Sequence, residues 1–241
     1  MNLIQHPRLI QGGMGIAVSN WTLAKAVSQL GHLGVVSGTA INSVLVRRLQ
    51  DGDLDGSIRR ALSHFPSQPI VAHILEQYFI EGGKSKDQPY KRAPLYNLKS
   101  SMTLLQQTMV ASFVEVFLAK EGHAGKVGIN LLEKVVLPNL ACLYGAMLAD
   151  VDYVIMGAGI PREIPGALDL LSQNLEASLK VPVVGSTTEE HFVTTFNPSE
   201  VLGKVFFKPL KRPYFFPIVS SSTLALSLKK KSTGSIEGFI V

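Results

Sequence analysis

The chain has 241 residues, 46% of them hydrophobic and 17% charged, which suits one or two globular domains with a sizeable buried core. Its net charge of +5 is too small and too scattered to point to nucleic acid, and it is compatible with anionic ligands or an acyl-carrier partner. The single cysteine, Cys142, excludes a disulfide within the chain and points to a reducing compartment. Lying in Leu140-Ala141-Cys142-Leu143, it reads as a small core residue rather than a nucleophile. Met1 to Pro7 lacks the basic and apolar regions of a signal peptide. The apolar stretch Val135 to Leu148 is interrupted by Pro138, Asn139 and Gly145, so no membrane span is expected and the chain reads as cytoplasmic.

In chain order, Arg8 to Gln11 is a short strand, and Ser19 or Asn20 caps a helix running through Leu30. Trp21, Leu23, Ala24, Val27 and Leu30 share a face of it, Gly31 ends it, and a second strand follows at Leu33 to Ser37. Strand, helix and strand at this spacing form a βαβ unit, which implies parallel pairing. Asn42 to Leu49 and Gly56 to Phe65 read as helices, Pro69 to Leu75 as a strand or a helix start, and Glu81 to Ala93 as a polar excursion. Ser101 to Glu121 reads as a helix with an apolar stripe of Val110, Phe113, Val114, Phe117 and Leu118, stopped by Gly122. Then come strand Lys126 to Asn130, helix Leu140 to Leu148, strand Tyr153 to Met156 and helix Pro165 to Leu179. A second excursion, Val181 to Pro213, contains apolar runs at Val181 to Val184 and Val205 to Phe207 that suggest a small inserted hairpin. Strand Phe215 to Val219, helix Ser222 to Lys230, a turn at Ser232 to Gly234 and the apolar run Ile236 to Val241 complete the series. The basic clusters Lys208 to Arg212 and Lys229 to Lys231 read as a solvated loop and a helix end facing its own dipole.

Five of these strands end in small residues: Gln11-Gly12-Gly13-Met14-Gly15, Ser37-Gly38-Thr39, Gly128-Ile129-Asn130, Gly157-Ala158-Gly159 and Ser220-Ser221-Ser222. Small residues at the carboxyl end of a parallel strand let a ligand approach bare backbone. Neither Gly13-Met14-Gly15-Ile16-Ala17-Val18 nor Gly157-Ala158-Gly159-Ile160-Pro161-Arg162 completes a dinucleotide fingerprint, and no phosphate-binding Gly-x-x-x-x-Gly-Lys run occurs. Ligand-type loops after every strand suit a ring of strands better than an open sheet with one switch point. The expected fold is therefore an α/β (β/α)8 barrel with a small inserted subdomain. Five strands and the start of a sixth are legible, so residues 1–241 are expected to be the first two-thirds of a longer barrel, a truncated gene or a degenerate copy. Coding sequence beyond Val241 is then expected to continue the barrel.

Several of these segments are similar to the nitronate monooxygenase family of FMN-dependent (β/α)8 barrels, and most closely to its PfaD-type enoyl-reductase branch. They are Ile10-Gln11-Gly12-Gly13-Met14-Gly15, Val127-Gly128-Ile129-Asn130, and the run from Met156-Gly157-Ala158-Gly159 through Ile160-Pro161-Arg162-Glu163-Ile164-Pro165. Phe113 to Gly122 and Tyr144 to Ala149 also resemble that branch. The resemblance implies that Gly13, Met14 and Gly15 lie against a flavin ring, that Asn130 sits near it, and that Gly157, Ala158 and Gly159 line the fourth loop. Ser220 stands where many relatives carry a lysine. The family's catalytic histidine and its FMN phosphate loops would fall beyond Val241.

His6, His32, His64, His73, His123 and His191 lie at the wrong end, near helix ends, in an apolar run or in the excursion. None has the partners of a metal site or a catalytic triad, so no catalytic residue and no metal site are assigned. Arg162-Glu163 reads as an ordinary loop ion pair. The implied function is FMN-dependent oxidation of alkyl nitronates by O2. The alternatives are reduction of an enoyl thioester with NAD(P)H as donor, or an inactive fragment without flavin. Weak FMN binding at most is expected of the 241-residue chain.

Overall fold

The computed structural model describes residues 6–185, 187, 191–203 and 208–241. Helix α1 (Trp21–Gln29) begins where the Asn20 side chain accepts from the Leu23 amide at 3.1 Å, and Gly31 follows its end at φ 81°. Strand β1 (Gly34–Ser37) leads to α2 (Ile41–Gln50) and α3 (Ser57–Ser63). Residues 69–75, ambiguous in sequence, lie within helix α4 (Gln68–Tyr78), where proline in the first turn removes only an amide that has no partner within the helix. Helix α5 (Met102–Lys120), capped by Ser101, precedes β2 (Val127–Leu132), α6 (Val136–Leu148), β3 (Tyr153–Gly157) and α7 (Ile164–Ser172). The hairpin strands β4 (Ala177–Lys180) and β5 (Val193–Phe196), the short helix α8 (Pro198–Leu202), β6 (Tyr214–Pro217) and α9 (Ser222–Lys231) follow.

Strands β1, β2, β3 and β6 form one parallel sheet in chain order, with Ser37 beside Asn130, Asn130 beside Ile155 and Ile155 beside Phe216. Ile10 bridges Leu33 and Ile240 bridges Ile218, both parallel, so the order extends by one rung at each edge without reversing. The fold is thus mixed α/β with a parallel sheet and helices between its strands. Alternation along each strand separates two faces. Val36, Ile129, Leu131, Val154, Met156 and Phe215 join the large helix-covered core, while Leu33, Val35, Tyr153, Ile155 and Phe216 form a second cluster on the other face. Apolar burial on both faces is the normal condition of a parallel sheet.

The structure corrects several sequence expectations. The helix expected to run from Pro165 to Leu179 stops at Ser172, and Asn174 turns the chain at φ 58°. Ala177 to Lys180 is instead a strand whose residues are alternately buried and exposed. The inserted hairpin exists, but it pairs β4 with β5 in antiparallel register and starts before Val181. Val181 to Val184 has no regular structure, and Val205 to Phe207 lies outside the described residues. Helix α6 starts earlier than Leu140, because Pro138 falls in its first turn. Helix α1 buries Ala24 and Ser28 and leaves Leu23 and Leu30 exposed, because it meets the sheet along a narrower line than its apolar content suggests. Helix α5 has no single stripe: thirteen of its nineteen residues are buried, because it is wrapped by α1, α2, α3, α6 and β2. It is long and apolar enough to span a membrane, unlike any stretch expected from sequence, and its own chain covers 72% of that window. Helices α5 and α6 meet backbone to backbone at Gly145, where a side chain would collide with the Met109 carbonyl.

Candidate functional site

The carboxyl edge of the sheet is built from the loops at 12–19, 38–40, 133–135, 158–163 and 218–221. Gln11 shapes the first of them. Its backbone amide donates to the Leu33 carbonyl at 2.9 Å, and its side-chain Oε1 accepts from the Val35 amide at 2.9 Å. The side chain thereby continues the ladder after the backbone has turned away. That frees Gly12 and Gly13 to fold over the strand ends. Gly13 is buried so tightly that a Cβ would lie 2.9 Å from the Asn130 Cβ and would also strike Val35.

Asn130 is the centre of this edge. It is 2% exposed, and its Nδ2 donates to the Met14 sulfur at 2.7 Å and lies 3.4 Å from the Gly13 carbonyl oxygen. Its Oδ1 has no hydrogen-bond partner among the described residues, and neither does the Oγ of Ser37, its neighbour across β1 and β2. A buried polar atom without a partner costs about 1–3 kcal/mol, so two on paired residues of neighbouring strands call for an explanation. Local strain occurs here too. Among the described residues the only alanines with positive φ are Ala17 at 59°, Ala40 at 53° and Ala158 at 57°, each in a loop that follows a strand. The left-handed region costs a non-glycine residue about 1–2 kcal/mol, and such costs collect at functional loops.

The sequence-selected residues divide into three sets. Gly13, Met14 and Asn130 are in mutual contact. Gly157 ends β3 beside Leu132, where a Cβ would lie 3.0 Å from Ile218, while Gly159 lies under the Glu133 carboxylate. Gly15 serves a local turn, accepting from the amides of Val18 and Ser19, and Ser220 is exposed beyond β6. Other expectations need correction. His73 is exposed rather than core, because it projects from the outer side of α4. Arg162 and Glu163 do not pair with each other: Glu163 accepts from the Lys180 amide at 2.9 Å and Arg162 reaches Ser227. Lys208 to Arg212 is more than a solvated loop, since Lys211 binds Asp152 at 2.9 Å and Arg212 binds Asp169 and Glu237. Cys142 is fully buried, and burial pushes its thiol up to about 12, which agrees with a core role.

Beside the glycine loops lies a pocket of about 520 Å³, walled by the loops after β2 and β3 and by the β4–β5 hairpin. It contains Glu133, Arg162, Glu163, Lys180 and His191, and none of the eight residues selected from sequence. Burial raises the Glu133 carboxyl above its ordinary value, and the neighbouring Glu163 charge raises it further. Ser37, Glu133 and His191 are the residues that sequence reasoning left without a functional role. Ser37 stands at a strand end among small residues, but nothing in sequence says that its hydroxyl is left unpaired. Glu133 and His191 meet only because the hairpin folds back over the loops.

Compared with protein-family models and with curated proteins, the chain matches none.

Proposed function

We propose that the carboxyl edge of this sheet is the ring-facing part of a flavin site, in an FMN-dependent oxidoreductase of the nitronate monooxygenase type built on a (β/α)8 barrel. The observation that carries the proposal is the pair of buried, unpartnered atoms Ser37 Oγ and Asn130 Oδ1. They give a flat heteroaromatic group with alternating N–H and C=O edges a hydroxyl and an amide oxygen to meet. Two further observations support it. The four strands run parallel in chain order with one further parallel bridge at each edge, as successive strands of a barrel do, and three of the six non-glycine residues with positive φ among the described residues, Ala17, Ala40 and Ala158, stand in loops at the strands' carboxyl ends. The polar groups present are of the kind that the edge of a flavin ring pairs with.

In this reading Asn130 and Ser37 hold the polar edge of the ring, and Gly13 brings the first loop's backbone close to it. Met14, anchored through its sulfur by Asn130, covers one side. Gly157, Ala158, Gly159 and Ser220 frame the edge nearer β3 and β6. Bound FMN supplies the two-electron redox chemistry, while the chain orients the ring and keeps water from the strand ends.

Oxidation of alkyl nitronates by O2 is the first reading of the reaction. A second, reduction of an enoyl thioester with NAD(P)H as donor and an acyl carrier protein as partner, is favoured by the pocket beside the site, which has apolar walls between charged groups and is larger than a small nitroalkane requires.

The test is fluorescence titration of the purified chain with lumiflavin, which is the ring alone, and with FMN. Both are expected to bind weakly and about equally, and both to be lost in Asn130→Leu. Absence of quenching by either flavin would overturn the site and leave the flavin-free reading of the chain. Binding that survives in Asn130→Leu would also overturn it. Nitronate-dependent O2 uptake measured against NAD(P)H-dependent enoyl reduction separates the two reactions.

A further inference from the structure

The pocket between the β4–β5 hairpin and the loops after β2 and β3 has a composition of its own. Val136, Ile160, Leu179, Val181, Phe192 and Val193 are among the apolar residues of its wall. Three large apolar side chains at it remain well exposed: Ile160 at 45%, Val183 at 38% and Val193 at 49%. They come from two separate segments of the chain and face one concavity, which scattered surface apolar residues do not do. Two of the charged groups around them are directed to other partners. Glu163 is engaged by the Lys180 amide and ammonium, and Arg162 turns aside to Ser227.

Glu133 differs from them. Its carboxyl has no hydrogen-bond partner among the described residues, and its Oε2 lies directly over Gly159, where any side chain would displace it. Glycine at 159 is what allows this carboxyl to turn over the loop toward the pocket. Apolar walls and a second carboxylate raise this carboxyl above its ordinary value, and in its protonated form its O–H can donate to a carbonyl oxygen.

We infer that this pocket binds an aliphatic carbonyl compound, its chain along Ile160, Val183 and Val193 and its carbonyl oxygen at Glu133. The inference rests on the acyl-thioester reading of the neighbouring site, of which the pocket would be the acyl end. The volume is in the range of pockets that enclose small ligands. An eight-carbon chain adds six methylenes to an acetyl group, each stabilising by up to about 0.8 kcal/mol when buried, so chain length is a sensitive readout.

The probes are the octanoyl and acetyl thioesters of N-acetylcysteamine, titrated calorimetrically into the whole chain without flavin. The octanoyl compound is expected to bind saturably and about tenfold or more tightly than the acetyl compound. Ile160→Asp and Val193→Asp, at exposed positions where folding should survive and circular dichroism can check it, should each weaken octanoyl binding about tenfold. Glu133→Gln, which keeps a donor, should stay within about threefold, and Glu133→Ala should lose more than that. Equal affinity for the two thioesters, octanoyl binding unchanged in both aspartate variants, or Glu133→Ala indistinguishable from Glu133→Gln would overturn the inference. Lumiflavin titration of Glu133→Ala keeps the two proposals apart. Failure of thioester binding with flavin binding intact removes the pocket alone, and the converse removes only the flavin site.

Discussion

The two ends of the parallel sheet are built on opposite principles. At the amino end, polar groups are paired to excess: Asp152, 2% exposed, accepts from Lys120 at 2.8 Å, Lys126 at 3.1 Å, Lys211 at 2.9 Å and the Val127 amide at 3.1 Å. At the carboxyl end, Ser37 and Asn130 hold buried atoms with no partner; left-handed backbone occurs at both ends, in three alanines here and in Asp150 beside the amino-end network. Satisfied networks stabilise a fold, whereas unsatisfied and strained groups are tolerated where another molecule completes them. In parallel α/β proteins this polarity of stability below and ligand above is general.

The largest expected effect tests the amino end. Asp152→Ala should lower stability by about 3 kcal/mol, at the low end for breaking a buried ion pair because Lys126 and Lys211 are half exposed and can rehydrate. Chemical denaturation measures it, and a loss under about 1 kcal/mol would show the network to be ornamental. Acid should produce a somewhat smaller loss. Burial alone would raise the Asp152 carboxyl, but the hydrogen bonds from Lys120, Lys211 and the Val127 amide outweigh it and hold the group down to about 2. A carboxyl depressed on folding contributes stability above its unfolded value. The contribution, about 2 kcal/mol, should therefore fade as pH falls from about 4 to about 2, and the gap between wild type and Asp152→Asn should close over that window.

The carboxyl end should respond in the opposite sense. Asn130→Leu replaces a half-satisfied buried amide by an apolar group of similar size, so stability should change by less than about 1 kcal/mol while flavin-ring binding falls tenfold or more. A large loss of stability would instead make Asn130 an ordinary structural residue. Smallest of all, Ala158→Gly should gain about 0.5–1 kcal/mol, since relief of left-handed strain exceeds the entropy glycine adds to the unfolded chain. A destabilised Ala158→Gly would mean that this loop is not strained.

Local signals marked most elements. The Asn20 and Ser101 caps and Gly31 and Gly122 behind α1 and α5 fold as their residue types require, whereas the strand expected at Arg8 to Gln11 is reduced to a single parallel bridge from Ile10 to Leu33. The α7-to-β4 boundary was hidden because Ser172 to Leu179 has no glycine or proline to end a helix; the stop comes from Asn174, whose side chain is tied to the Tyr144 hydroxyl, 30 residues away in sequence. Half of the candidate site was legible for a similar reason. Gly13 and Asn130 stood out as small or polar residues at strand ends and Met14 came with the family resemblance, while Glu133 and His191 line one pocket only through a hairpin whose strands sequence placed wrongly.

Sequence by itself determined the alternation of parallel strands and helices, because turn residues and apolar periodicity act within a few residues of one another. Only the tertiary structure decided which polar atoms stay unpaired. Ser37 and Asn130 are far apart in the chain, and whether an oxygen finds a donor depends on what the sheet register and the overlying loop leave beside it.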